Sequence, residues 1–67
     1  MDIFVNNQNR TLAEGSNLLA ALEQNGVSEQ KGIAVAVNNK VVPKAEWPIK
    51  ILTANDRVTI IKATQGG

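Results

Sequence analysis

The side chains able to take part in chemistry are few and dispersed. Six carboxylates stand at Asp2, Glu14, Glu23, Glu29, Glu46 and Asp56, and the two serines are Ser16 and Ser28. Acid–base catalysis by paired carboxyls needs two groups pushed to different pKa values in one cleft. These six have no His or Tyr to complement them, so they read as a solvated surface. The serines likewise lack a candidate base that could make either one a nucleophile. Gly15, Gly26 and Gly32 do not have phosphate-loop spacing and suit turns or caps instead. Lys40, Lys44 and Lys50 make a mild basic cluster, read either as solvated surface or as a contact for an acidic partner patch. Without Cys there is no disulfide framework, no thiolate metal site and no side chain on which a persulfide could be carried.

One reactive group remains, at the end of the chain. An apolar strand is followed by Thr64-Gln65-Gly66-Gly67, read as a short flexible tail over 64–67. Two residues without side chains allow close approach of another backbone and entry into a narrow channel. The α-carboxylate of Gly67 could be activated by a partner enzyme with no help from this chain's side chains. Attack on the α-phosphate of ATP would give an acyl-adenylate, from which a sulfur nucleophile could displace AMP. The plainer alternative is a frayed terminus.

The elements that must present such a tail follow from the patterning. A chain of 67 residues, 43% hydrophobic and 19% charged, has room for one domain, residues 1–67. It buries only about 60% of the surface its unfolded state exposes. The formal charge of +1 provides no basic stripe for phosphates, so nucleic acid is not an expected partner. Met1-Asp2 runs straight into Ile3-Phe4-Val5 with no basic leader and no long apolar stretch. Neither signal peptide nor membrane span is expected, and the expected address is the cytoplasm.

Ile3 to Val5 and Arg10 to Ala13, around the turn cluster Asn6 to Asn9, predict an N-terminal hairpin. Leu18 to Gln24 predicts a helix of about two turns, with Leu18, Ala21 and Leu22 on one face, Ser16 or Asn17 as N-cap and Gly26 beyond its end. Ile33 to Val37 alternates, the turn Asn38-Asn39-Lys40 leads into Val41-Val42, and Pro43 ends the pairing. Lys44 to Pro48 predicts an irregular segment or one helical turn, with Trp47 as a lid at the core edge and Ile49 to Leu52 adding apolar packing. After a turn at Ala54-Asn55-Asp56, the last strand spans Arg57 to Ala63. A helix and a sheet cannot bury their faces alone, so the order predicts an α+β fold with a mixed sheet and one helix across it. The N-terminal hairpin and the last strand would lie side by side at its centre, the β-grasp or ubiquitin-like arrangement.

Over its whole length the chain resembles the ThiS family of small sulfur carriers of thiamine biosynthesis. The resemblance rests on the first hairpin ending in Gly15, on Leu18 and Leu22, and on Ala34-Val35-Ala36-Val37-Asn38. It extends through Leu52, Asp56, the apolar last strand and Gly66-Gly67. Its most discriminating part is Val42-Pro43-Lys44-Ala45-Glu46-Trp47. Asn55 stands where the family more often has Gly, and Asn17 where Thr is common; both changes keep the turn and cap chemistry. The resemblance implies that the chain is a co-substrate and not an enzyme, binding no cofactor itself. An E1-like adenylating enzyme of ThiF type would use ATP and magnesium to adenylate Gly67. A cysteine desulfurase would supply sulfur for a terminal thiocarboxylate, and a thiazole synthase of ThiG type would receive it. Gly67 would bear the sulfur and Gly66 would form the slender approach. The carrier would be a monomer when free.

A carrier also needs a docking face. If Val58 and Ile60 point inward, alternation sends Thr59 and Ile61 to the opposite face, near Ala36 on a neighbouring strand. Ile61, Ala36 and Gln65 are the partner-binding candidates, against the alternative that Ile61 is a lone apolar surface residue. Two other functions compete: a molybdopterin-type sulfur carrier, which is usually longer with prolines before its tail, and a ubiquitin-like modifier or interaction module that never carries sulfur.

Overall fold

The computed structural model describes residues 1–27 and 32–62. Among the described residues two hairpins and a final strand make one sheet, and one α-helix covers one of its faces. Strand β1 (Asp2–Val5) pairs antiparallel with β2 (Gln8–Thr11), and β3 (Ile33–Val37) with β4 (Lys40–Val41). Between the hairpins lies β5 (Arg57–Lys62), parallel to β1 and antiparallel to β3, giving the order β2-β1-β5-β3-β4. The expected mixed sheet with the N-terminal hairpin beside the last strand is therefore the one observed.

Both hairpin turns are tighter than the sequence pattern suggested. Val5 pairs with Gln8 and Val37 with Lys40, so each turn has only two residues, Asn6-Asn7 and Asn38-Asn39. All four asparagines have positive φ, between 49° and 71°. That is the backbone of the primed turn whose twist matches the strands, and asparagine tolerates it better than most residues. Gln8, Asn9 and Lys40, assigned to turns by their polarity, thus belong to strands.

Helix α1 (Leu18–Gln24) begins at Asn17, whose side-chain oxygen accepts from Ala20 N–H at 2.8 Å. Asn17 also donates to Pro48 O at 2.9 Å, tying the helix start to the segment that follows β4. Ser16 does not cap; its hydroxyl donates to Ala13 O at 2.7 Å. At the far end Gly26, with φ of 73°, takes the left-handed position that ends the helix. Leu18, Ala21 and Leu22 pack on Ile3, Val5, Val35, Val37 and Val58 from the sheet. Each fully buried Leu or Val contributes about 1.5–3 kcal/mol relative to exposure.

The connection from β4 to β5 departs from expectation in two places. Trp47, expected as a lid, is only 3% exposed and belongs to the core. The 3₁₀ turn Lys44–Glu46 aims it inward, and its indole N–H donates to Val42 O at 2.9 Å. A buried tryptophan needs such a partner for its polar atom. Conversely, Ile49 and Ile51 face solvent, and of the 49–52 run only Leu52 enters the core. Leu18 N–H bonds to Lys50 O and Leu52 N–H to Ser16 O, so the backbone pairs along the helix approach and sends alternate side chains outward.

Candidate functional site

The sheet face opposite the helix is built by strand alternation. Ile3, Val5, Val35, Val37 and Val58 turn to the helix, so their neighbours must turn away. Phe4 pairs with Arg57 across the parallel ladder, Ala36 pairs with Thr59 on one side and Val41 on the other, and Ala34 pairs with Ile61. Paired residues share a face, so Phe4, Ala34, Ala36, Val41, Arg57, Thr59 and Ile61 lie on one surface that nothing covers among the described residues. Val41 is 73% exposed and Ile61 56%. Two large aliphatic side chains left in water on one face suit a partner contact.

Of the sequence-predicted candidates, Ile61 and Ala36 lie on this face. Ala36 is itself largely covered, being a small residue between Thr59 and Val41 on the neighbouring strands. It supplies a flat floor beside taller side chains. Ile61 is across from Ala34, one pair further toward the end of β5. Gln65, Gly66 and Gly67, along with Ala63, Thr64 and the serine at position 28, lie outside the described residues. Lys40, Lys44 and Lys50 are all exposed.

Phe4 and Val41 were not singled out from the sequence. The signal for both was available, since Phe4 alternates with Ile3 and Val5, and Val41 follows a two-residue turn that fixes its register. Phe4 also carries the Arg57 guanidinium, 5.8 Å from its ring centre, in a contact worth about 0.5–1 kcal/mol at an exposed site. The cation therefore sits on the aromatic ring at the end of β5 remote from the tail.

One carboxylate contradicts the reading of all six as solvated surface. Asp56 is 9% exposed and fully hydrogen-bonded. Its oxygens accept from Thr53 N–H at 2.8 Å, the Asn38 amide at 3.0 Å and the Thr53 hydroxyl at 3.2 Å. Burial alone would push its carboxyl up, but these donors and the charge of Lys50 outweigh burial and hold its pKa below the ordinary value. With its bonds taken up by Thr53 of its own loop and by Asn38 of the second hairpin turn, Asp56 locks the turn that starts β5 and is not poised for acid–base work. Among the described residues no group of three or more acidic side chains could hold a metal ion.

The sequence pattern of the ThiS family matches residues 3–67. The chain belongs to the ThiS family. The sulfur carrier protein ThiS of Escherichia coli (strain K12) is 31% identical over 67 residues, covering 100% of both chains. The fold agrees as well. A crystal structure of a thiamine biosynthesis protein (ThiS) from Geobacter metallireducens superposes with a TM-score of 0.83 at 23% identity, covering 100% of both chains. An NMR structure of a thiamine biosynthesis protein from the same organism gives 0.76, covering 100% of this chain and 88% of the other. In this ThiS-family chain the helix covers one face of the β-grasp sheet, and Ile61, next to the last residue of β5, lies on the other.

Proposed function

We infer that this ThiS-family protein is a sulfur carrier of thiamine biosynthesis whose reactive group is the carboxylate of Gly67. The observation that carries the reading is the match of the family pattern through residue 67, on a fold in which β5, the central strand, leads directly to the terminal Gly66-Gly67. After Lys62 five residues remain, a reach of at most about 17 Å when fully extended. That is long enough to enter an enzyme's cleft while the domain stays outside, and the two glycines place no side chain in the way.

The domain acts as a handle. An E1-like adenylating enzyme docks on the face holding Ile61, Val41 and Phe4, and Gln65 contacts the channel that receives the tail. The Gly67 carboxylate attacks the α-phosphorus of ATP, with the magnesium held by the enzyme, and pyrophosphate leaves. The outer sulfur of a persulfide derived from a cysteine desulfurase then attacks the acyl carbon and AMP departs; a thiol cleaves the resulting acyl disulfide, pairing with the donor sulfur and leaving a thiocarboxylate. A thiazole synthase takes the sulfur. The carrier is a co-substrate throughout and works in the cytoplasm.

Intact-mass analysis tests this. Incubation with a ThiF-type enzyme, ATP, magnesium and a sulfur source should add about 16 Da, the difference between sulfur and oxygen at the activated carboxyl. Deleting Gly67 should abolish the gain without altering the fold, since a chain terminus contributes little to stability. No mass gain, or ligation of Gly67 to a lysine of another protein, would overturn the sulfur-carrier reading.

A further inference from the structure

Strand β5 is supported unevenly along its length. On the β3 side its pairing continues from Val58 to Lys62, whereas on the β1 side it ends at Val58 opposite Val5. There the chain of β1 turns away at Asn6-Asn7, and Asn6 N–H makes the last backbone bond of that ladder, to Val58 O at 2.9 Å. Two residues later the Ile60 N–H faces the position where β1 would have continued. The side-chain oxygen of Asn6 fills it, accepting from Ile60 N at 2.8 Å. Beyond this bond, among the described residues, the β1 side of β5 opens on a cleft of about 320 Å³ bordered by Val5, Asn25, Val27 and Lys62.

We propose that Asn6 is a positioning residue for the tail: by holding Ile60 N–H in place of the missing strand, it fixes the direction in which β5 delivers residues 63–67 to a partner's active site. The proposal rests on the carrier reading for its functional consequence and on the Asn6–Ile60 geometry for its structural part. Two features of Asn6 are separable. Its φ of 49° serves the two-residue turn, which glycine would serve equally well. Its side-chain oxygen serves β5, and glycine lacks it. Without that oxygen the last residues of β5 are held from one side only, and a swing of about 15° there displaces the tip of a tail that can reach at most about 17 Å by up to roughly 4 Å. Misplacement on this scale slows a reaction that depends on alignment, even though the docking face is untouched.

The test uses Asn6→Gly, which keeps the turn and removes the acceptor, and Asn6→Asp, which keeps both. Amide exchange followed by NMR should show Ile60 N–H exchanging at least tenfold faster in Asn6→Gly, with Leu22 and Val35 unchanged and Asn6→Asp restoring protection. Loading measured by the mass gain at varied carrier concentration should show kcat about tenfold lower in Asn6→Gly, KM within twofold, and recovery in Asn6→Asp. Unchanged Ile60 exchange overturns the anchor. Faster exchange with unchanged kcat, or a loss confined to KM, overturns the positioning role while leaving the carrier reading intact. Absence of any mass gain in the wild-type chain overturns the carrier reading, and the positioning role with it.

Discussion

The side-chain amide of Asn38 donates to the Asp56 carboxylate at 3.0 Å, joining the turn of the second hairpin to the loop that starts the central strand. The same side chain accepts from Arg57 N–H at 3.0 Å. Asn38 thereby does at the beginning of β5 what Asn6 does near its end. Two turns distant in sequence grip one strand from opposite sides.

The Asp56 network makes stability depend on pH in a defined window. A carboxyl whose folded pKa lies below the ordinary 3.8 contributes stability that is fully present above that value and is lost as pH falls through the lower folded value. Urea midpoints should therefore begin to drop as pH falls below about 4. In Asp56→Asn this part of the acid dependence should flatten, with a cost at neutral pH of about 1–3 kcal/mol from misdirected hydrogen bonds. An identical acid slope in the variant would assign the dependence to other carboxyls.

Trp47 should be worth more than its area. Trp47→Phe keeps most of the ring but leaves Val42 O, the acceptor of the buried indole N–H, without its partner, at an expected cost of about 1–3 kcal/mol. Trp47→Ala should cost about 3–5 kcal/mol, enough to unfold much of so small a domain. Circular dichroism melts of the two variants against wild type provide the measurement, and a Trp47→Phe midpoint equal to wild type would count against the bond.

Asn17 serves two elements at once, as helix cap and as donor to Pro48 O. Loss of the cap alone costs about 1 kcal/mol. Asn17→Thr keeps a capping oxygen and loses only the Pro48 bond, so it should fall between wild type and Asn17→Ala in chemical denaturation. Equal destabilisation of the two variants would show that the cap contributes nothing.

Ile61→Asp should leave folding intact, because the side chain is more than half exposed. It should weaken docking to the adenylating enzyme by about tenfold, a loss of about 1.4 kcal/mol. An unchanged affinity in a binding titration removes Ile61 from the interface. Val41→Asp tests the same face from a neighbouring strand, and a matching loss would place both residues in one contact.

Much of the fold and part of the candidate site were legible in the sequence for local reasons. The alternation of Ile33 to Val37, the helix formers from Leu18 to Gln24 and the capping chemistry of Asn17 state their own conformations. The absence of Cys and His leaves the side chains with no thiol or imidazole for catalysis or metal binding. Local pattern misjudged Trp47, Ile49 and Ile51, because which of three neighbouring apolar residues enters the core depends on how the backbone near Lys50 and Leu52 pairs with the helix approach. It also misjudged Asp56, whose donors come from Asn38, eighteen residues away, as well as from its own loop.

What the sequence by itself determined, then, was the type of each element and the chemical economy of the chain, because periodicity and residue chemistry act within a few residues. What only the tertiary structure decided was how β5 is held. Its central place between two hairpins, the meeting of Ile61, Val41, Ala36 and Phe4 on one face, and the Asn6–Ile60 bond across 54 positions all depend on strand register. Register is set by the packing of one whole face against the helix, and no local stretch of sequence carries it.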